Sequence, residues 1–83
     1  MIVRVRLFAA LREALGREEV GLTLAEGATP EDAWRELMRL DESGDLAARR
    51  KNLAAAVNRK YAGFEAPLQD GDEVVFIPPV SGG

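Results

Sequence analysis

The residues most suited to take part in a chemical reaction are those of the last segment of the sequence, Pro78-Pro79-Val80-Ser81-Gly82-Gly83. Proline fixes φ and has no N–H to donate, so two consecutive prolines block both strand pairing and helix formation. We therefore expect residues 78–83 to project as an extended arm of at most about 20 Å. Because glycine lacks a Cβ atom, Gly82 and Gly83 can pass through a narrow channel and present a bare carboxylate to another protein's site.

A frayed terminus is the alternative interpretation of this segment, because the last residues of most domains are poorly ordered. At an average glycine usage of about 7%, a chain ends in Gly-Gly by chance about once in 200 cases. A terminal Gly-Gly by itself therefore does not decide between a frayed end and a functional tail. Together with the order of the predicted strands and helices, however, the segment favours a functional tail.

The composition indicates that any chemistry at Gly83 depends on a partner enzyme. The sequence contains no Cys and no His. It therefore has no thiolate nucleophile, no zinc-thiolate site and no disulfide, and it lacks the commonest general base and metal ligand. We expect neither self-contained catalysis nor a metal site in this chain.

The charge and hydropathy of the chain limit its partners. A net charge of -3 and a pI near 4.9 argue against nucleic acid or an anionic membrane as the ligand, because both attract a positive surface. No apolar run approaches the roughly 18 residues of a membrane span. Arg4 and Arg6 interrupt the N-terminal apolar stretch that could mimic a signal peptide. We expect a cytoplasmic protein.

Three other groups of residues have a functional and a structural interpretation. Asp70 and Asp72 could form a metal or acid/base pair, but they flank Gly71, which favours a turn. Trp34 could bind a ligand, but its place on a helical apolar stripe favours the core. A third group could contact nucleic acid or AMP, although nearby acids favour a solvated surface. This group consists of Arg49, Arg50, Lys51, Arg59 and Lys60.

The pattern of apolar residues predicts an α+β domain over residues 1–77, with the tail at residues 78–83. Alternation predicts strands over residues 2–8, 20–24 and 73–77, and a short helix follows the first strand at residues 9–15. Thr29 and Pro30 predict the start of the main helix, which ends near Asp41 and has Leu40 on its apolar stripe. Residues 45–52 fit a short helix or a loop. Residues 53–57 predict a buried strand, and a weak strand lies within residues 58–68.

This order of elements predicts a β-grasp, or ubiquitin-like, fold: a mixed sheet with one main helix on one face. The last strand is expected beside the first, in parallel. The outward faces of these strands would place Ile2 and Phe8 near Val75 and Ile77, with Tyr61 close by. Such an apolar patch at the base of the tail is typical of a partner site, although scattered exposed apolar residues are common.

Four segments resemble a known family of ubiquitin-like sulfur carriers, which includes the small subunit of molybdopterin synthase and the sulfur carrier of thiamine synthesis. They are LFAALREALG at residues 7–16, LAAAVN at 53–58, PLQDGDEVV at 67–75 and PPVSGG at 78–83. Residues 41–52 take no part in the resemblance. The combination of PPVSGG with DGDEV is more specific than a terminal Gly-Gly, which any member of the superfamily can carry.

The resemblance implies a cycle in which the chain is a co-substrate. An E1-like adenylyltransferase would use ATP to join the Gly83 carboxylate to AMP, and a sulfur donor would then displace AMP. The resulting thiocarboxylate would supply sulfur to a pterin precursor inside the large synthase subunit, with two carriers flanking a dimer of large subunits. No cofactor would stay bound to this chain. The alternatives are a carrier for thiamine or tRNA thiolation, a ubiquitin-like modifier, and an interaction module with an inert tail.

Overall fold

Alternating apolar and polar residues form the two N-terminal strands of the computed structural model, which describes residues 1–78. Strand β1 spans Ile2–Arg6 and pairs antiparallel with β2, Glu19–Thr23, so that Val3 lies opposite Leu22. The apolar member of each alternation is buried, as the sequence predicts. The short helix α1, Ala9–Leu15, connects the two strands and ends at Gly16, whose φ of 68° is left-handed.

The main helix, α2, spans Pro30–Leu40 and begins where the sequence predicts. The Thr29 hydroxyl accepts a hydrogen bond from the amide of Asp32, and the Asp32 carboxylate accepts one from the amide of Thr29. This reciprocal pair satisfies two N–H groups that a helix start otherwise leaves without partners. The prediction for Leu40 was wrong: its side chain is exposed, because Leu46 and Asp41 occupy the buried positions beyond the last turn.

Residues 45–52, for which the sequence allowed either a short helix or a loop, form a 3₁₀ helix over Asp45–Asn52. The buried Asp41 carboxylate accepts hydrogen bonds from the Ser43 hydroxyl at 2.6 Å and from the Leu46 amide at 3.0 Å. At the far end, the Arg50 guanidinium donates to Glu31 of α2 and lies 3.4 Å from the centre of the Phe64 ring. These contacts hold the segment against the domain at both ends.

Three further strands complete a five-stranded sheet with the order β2-β1-β5-β3-β4. They are β3 at Ala54–Val57, β4 at Lys60–Ala62 and β5 at Glu73–Ile77. Strand β5 runs parallel to β1 and antiparallel to β3. This mixed sheet with one main helix confirms the predicted β-grasp fold. Because parallel strands end at the same edge of a sheet, Phe8 after β1 and Pro78 after β5 leave the sheet side by side.

The core lies between α2 and one face of the sheet. Trp34 is buried there and meets the Phe76 ring edge-on, with 5.2 Å between ring centroids, which confirms its predicted place in the core. Phe64 packs on the other side of Phe76 at 5.9 Å. Within residues 1–78, no helix has both the length and the apolar character needed to cross a lipid bilayer.

Candidate functional site: the outer face of the sheet

The face of the sheet that α2 does not cover carries a row of side chains across four strands, and all of them except the arginine on β1 are largely apolar. Strand pairing places Arg6 beside Val75, Val75 beside Ala56, and Ala56 beside Tyr61. Paired residues point to the same side of a sheet, so their side chains are neighbours on the outer face. In the next row, Ile77 lies opposite Ala54.

Phe8 extends this surface at the edge of the sheet where β1 and β5 end. Its backbone is extended, at φ -129° and ψ 157°, and its side chain is 48% exposed. The Arg6 guanidinium lies 5.8 Å from the centre of the Phe8 ring, within the range of a cation–π contact. Phe8 and Pro78 line the same groove. The structure therefore places Phe8 at the base of the tail, as the sequence predicts.

Tyr61 lies on the other side of β5, on the edge strand β4. Its side chain is 81% exposed, the most exposed of the large hydrophobic residues in the described part of the chain. A second groove is lined by Tyr61, Ile77 and Pro78. The two grooves meet at Pro78, which lies between Phe8 and Tyr61. We call Phe8, Ala54, Tyr61, Val75 and Ile77 the docking face.

The prediction that Ile2 belongs to this face was wrong. Ile2 is exposed and points outward, but it pairs with Thr23 at the opposite end of β1. Its carbonyl accepts a hydrogen bond from the amide of Gly71, which precedes β5, whereas Ile77 lies at the far end of that strand, six residues after Gly71. Alternation predicts the face on which a side chain lies, but position along a strand depends on the register with the neighbouring strand.

Asp70 and Asp72 serve the turn before β5, as predicted. The Asp70 carboxylate accepts a hydrogen bond from the Ile2 amide at 2.7 Å. Asp72 accepts one from the Gln69 amide at 2.8 Å and one from the Asn58 side chain at 2.9 Å. Both carboxylates thus bind groups of the protein itself. Among residues 1–78, no three of the acidic side chains come together in a way that could hold a metal ion.

The tail itself lies almost wholly outside the described residues. Pro78 directly follows β5 and is exposed, whereas Pro79, Val80, Ser81, Gly82 and Gly83 lie beyond the residues that the structure describes. The predicted roles of these residues stay predictions.

Sequence reasoning missed one small residue of the docking face, Ala54, and the buried Ala56 beside it. Ala54 and Ala56 lie between the larger side chains of β5 and β4, and their lack of bulk leaves Ile77 and Tyr61 accessible from outside. In the segment LAAAV, the alternation of a strand with Ala55 on the buried face predicts that Ala54 and Ala56 lie on the outer face. Arg6 was also missed as a contact of Phe8, although both residues lie on the outward face of the first strand.

The family model described as the ThiS family matches residues 5–83. The chain belongs to the ThiS family. It is similar to the molybdopterin synthase sulfur carrier subunit of Escherichia coli, with 37% identity over 82 residues that cover 99% of this chain and 100% of the relative. This confirms the resemblance inferred from the four sequence segments.

Two solved structures extend the comparison. SAMP1 from Haloferax volcanii, a small archaeal modifier protein, superposes with a TM-score of 0.84 at 26% identity and full coverage of both chains. A complex of subunits 1 and 2 of the molybdopterin-converting factor from Helicobacter pylori contains a chain that matches with a TM-score of 0.65 at 27% identity, again with full coverage of both. The same fold thus occurs in a protein named as a modifier and in one that binds a second subunit.

Proposed function

We propose that this chain is a sulfur carrier and the small subunit of a molybdopterin synthase. Residues 1–77 form its domain and residues 78–83 its reactive tail. The observation that supports this most directly is the apolar docking face beside Pro78, in a chain similar over its full length to a molybdopterin synthase sulfur carrier subunit. A surface of this kind at the base of a tail lets a partner bind the domain and the tail together.

The chemistry takes place at Gly83. A carboxylate is a poor electrophile, so an E1-like adenylyltransferase first joins a Gly83 oxygen to the α-phosphate of ATP and releases pyrophosphate. Hydrosulfide supplied by a sulfur donor then attacks the carbonyl carbon, its proton passes to solvent, and AMP leaves with the carboxyl oxygen as the bond from that oxygen to the carbonyl carbon breaks. The product is a thiocarboxylate on Gly83, which a chain without Cys can carry. That sulfur passes to a pterin precursor in molybdenum cofactor biosynthesis.

The length of the tail requires the partner to lie against the docking face. Gly83 is the fifth residue after Pro78. A chain of five residues spans at most about 17 Å, so the reacting atoms of any partner must lie within that distance of Pro78. A protein that brings its active site so close covers Phe8, Ile77 and Tyr61. The same face therefore serves the adenylyltransferase and the large synthase subunit. Two large subunits and two carriers would form a heterotetramer.

A second candidate function is that of a ubiquitin-like modifier, which forms an isopeptide bond between Gly83 and lysines of other proteins. The similarity of the fold to SAMP1 favours it, at a TM-score of 0.84. Both functions begin with activation of the Gly83 carboxylate, and they differ in the nucleophile that follows. A ladder of higher-mass conjugates in the native cell would identify a modifier. Carriers for thiamine or tRNA thiolation remain alternatives within the carrier class.

The test is the formation of adenylate and thiocarboxylate by three tail variants, measured by intact-mass spectrometry with the cognate adenylyltransferase, ATP and a sulfur source. Deletion of Gly83 shortens the tail by about 3.3 Å, which moves the carboxylate out of reach of the nucleotide. Gly82→Ile keeps the length but adds a branched side chain, so it tests the width of the channel. One residue added after Gly83 converts the carboxylate into an amide.

All three variants should lose the oxygen-to-sulfur exchange that the wild-type chain gains on Gly83. Their free energy of unfolding should change by no more than about 0.5 kcal/mol, because the changes lie at the end of the tail. Substantial turnover by the Gly83 deletion, with normal thermal unfolding, would contradict the proposed function.

A further inference from the structure

The charges of this chain are divided unevenly along the sequence. Residues 46–64 contain five of the 11 cations and none of the 14 acids. We call residues 46–64 the basic stretch. It carries a formal charge of +5, whereas the rest of the chain has six cations against 14 acids and carries -8. The modest net charge of -3 therefore conceals two regions of opposite sign.

The fold brings the basic stretch together at one side of the molecule. It comprises most of the 3₁₀ helix, together with β3 and β4, which are the last two strands of the sheet order. Arg50 is engaged by Glu31 and by the ring of Phe64. The other four cations are exposed, and none belongs to the five ion pairs found among residues 1–78. These four are Arg49, Lys51, Arg59 and Lys60.

Two of the four cations border the docking face where the tail leaves it. Arg49 lines the groove that contains Phe8 and Pro78. Lys51 lines the groove that contains Tyr61 and Pro78. Within residues 1–78, no acid lines either of these two grooves. Asp45 lines two adjoining grooves together with Arg49, and one of these also contains Pro78.

The remaining charges near this surface balance one another or lie further away. On the docking side, Glu73 is 4.0 Å from Arg6 and offsets its charge. Lys60 pairs with Val57 at the other end of the β3–β4 hairpin, and Arg59 lies in its turn. They extend the positive surface along the edge strand, away from Pro78. The two grooves beside Pro78 are therefore lined by two cations, and Asp45 in the adjoining groove offsets only part of their charge.

We propose that the cations of the basic stretch recognise an acidic surface on the large subunit of molybdopterin synthase, beside the opening that takes up the tail. The inference rests on the proposed function, because the short tail is what forces the partner against this side. Opposite charges across an interface mainly accelerate association and orient the partners. Nucleic acid fits the observations less well, because the remainder of the chain, at -8, repels a polyphosphate.

The experiment compares two double variants with the same net charge. Arg49→Glu/Lys51→Glu reverses the cations beside the tail. The matched control, Arg35→Glu/Arg39→Glu, reverses two exposed cations of α2, on the opposite side of the sheet from the docking face. The probe is the purified large subunit of molybdopterin synthase from the same organism. Association rates are measured by stopped-flow fluorescence at about 50 mM and about 500 mM salt, where the screening lengths differ about threefold.

At low salt, Arg49→Glu/Lys51→Glu should associate about tenfold more slowly than the wild-type chain, and the control within about twofold of it. The difference should shrink at high salt, because exposed charges are screened. Arg49→Gln/Lys51→Gln should show the same trend with a smaller loss, and it removes the concern that charge reversal disturbs the fold. Thermal unfolding of each variant verifies the fold.

Equal association rates for the wild-type chain and both Arg49/Lys51 variants would overturn the inference, as would an equal loss in the α2 control. The inference would also be overturned, in favour of nucleic acid, if the wild-type chain bound a single-stranded RNA of about 20 nucleotides saturably and Arg49→Glu/Lys51→Glu did not. If the wild-type chain gains sulfur on Gly83 and binds the large subunit, these failures concern the charges alone. If it does neither, the proposed function fails, and the inference fails with it.

Discussion

The two faces of β5 have almost the same composition and different roles. Val74 and Phe76 are 0% and 1% exposed and pack against α2, whereas Val75 and Ile77 alternate with them and remain half-buried on the outer face. A strand as apolar as EVVFI is usually covered on both sides. Here the domain covers one side only. The apolar residues of the outer face therefore exceed what the core needs, which is the property expected of a surface that a partner covers.

Truncation of one residue on each face of β5 should give the largest contrast. Phe76→Ala removes a ring that packs between Trp34 and Phe64, and we expect it to lower the free energy of unfolding by about 3 to 5 kcal/mol. Ile77→Ala, on the outer face, should cost only about 1 kcal/mol, because the side chain is already half-exposed. Urea denaturation followed by circular dichroism measures both. Similar losses for the two variants would show that the outer face is also part of the core.

A matched pair on the first strand and its extension tests whether the outer face binds a partner. Phe8 and Ile2 are 48% and 57% exposed and point outward, but only Phe8 lies beside Pro78. Phe8→Gln should weaken binding of the large subunit by about 10- to 30-fold, because it removes an aromatic anchor from the interface. Ile2→Gln should leave the affinity within about twofold of the wild-type value, since residues outside an interface contribute little.

Isothermal titration calorimetry gives both affinities, and thermal melts establish that the two variants are folded. An equal loss of affinity for Phe8→Gln and Ile2→Gln would mean that the partner covers the full length of β1 and not only the edge beside the tail. Unchanged affinity for Phe8→Gln would remove this residue from the docking face.

The smallest effect is expected at Asp41, whose carboxylate accepts hydrogen bonds at the start of the 3₁₀ helix. The hydrogen bond from the Ser43 hydroxyl, followed by that from the Leu46 amide, lowers the pKa of the Asp41 carboxyl below its usual value of 3.8. A lowered folded-state pKa means that the ionised carboxylate stabilises the native state above pH 3.8, and that this stabilisation is lost as the pH falls through the folded-state pKa.

Asp41→Asn should therefore lower the melting temperature at pH 7 and have a smaller effect below pH 3.8, because there the unfolded wild-type chain binds a proton more readily than the folded chain does, and part of the stabilisation is lost. Melting curves across this pH range check the expectation. Ser43→Ala, which removes the hydroxyl donor, should show the same pH dependence in weaker form. A difference between wild type and Asp41→Asn that stays constant with pH would indicate that the contribution of Asp41 comes from shape and not from charge.

Much of the fold could be predicted from the sequence, because its signals are local. Thr29 and Pro30 mark a helix start within a few residues, and the alternation of Val3 and Val5 defines a strand from its own side chains. The assignment of residues 53–57 as a strand was confirmed despite their alanines, since the bounding asparagines and the short apolar run outweigh a weak intrinsic preference for helix. The role of Gly83 was also suggested by sequence, and it stays a prediction.

The parts that sequence did not determine depend on contacts between distant residues. Residues 45–52 became a 3₁₀ helix through Asp41 and through the contacts of Arg50 with Glu31 and Phe64. The separation of Ile2 from the docking face follows from the register of β1 against β2 and β5. Nor does the chain order reveal that Arg49 and Lys51 lie beside Pro78. Local patterns define each strand and helix because neighbouring residues decide backbone preference, whereas the assembly of the docking face required the tertiary structure, since pairing between strands decides which distant side chains meet.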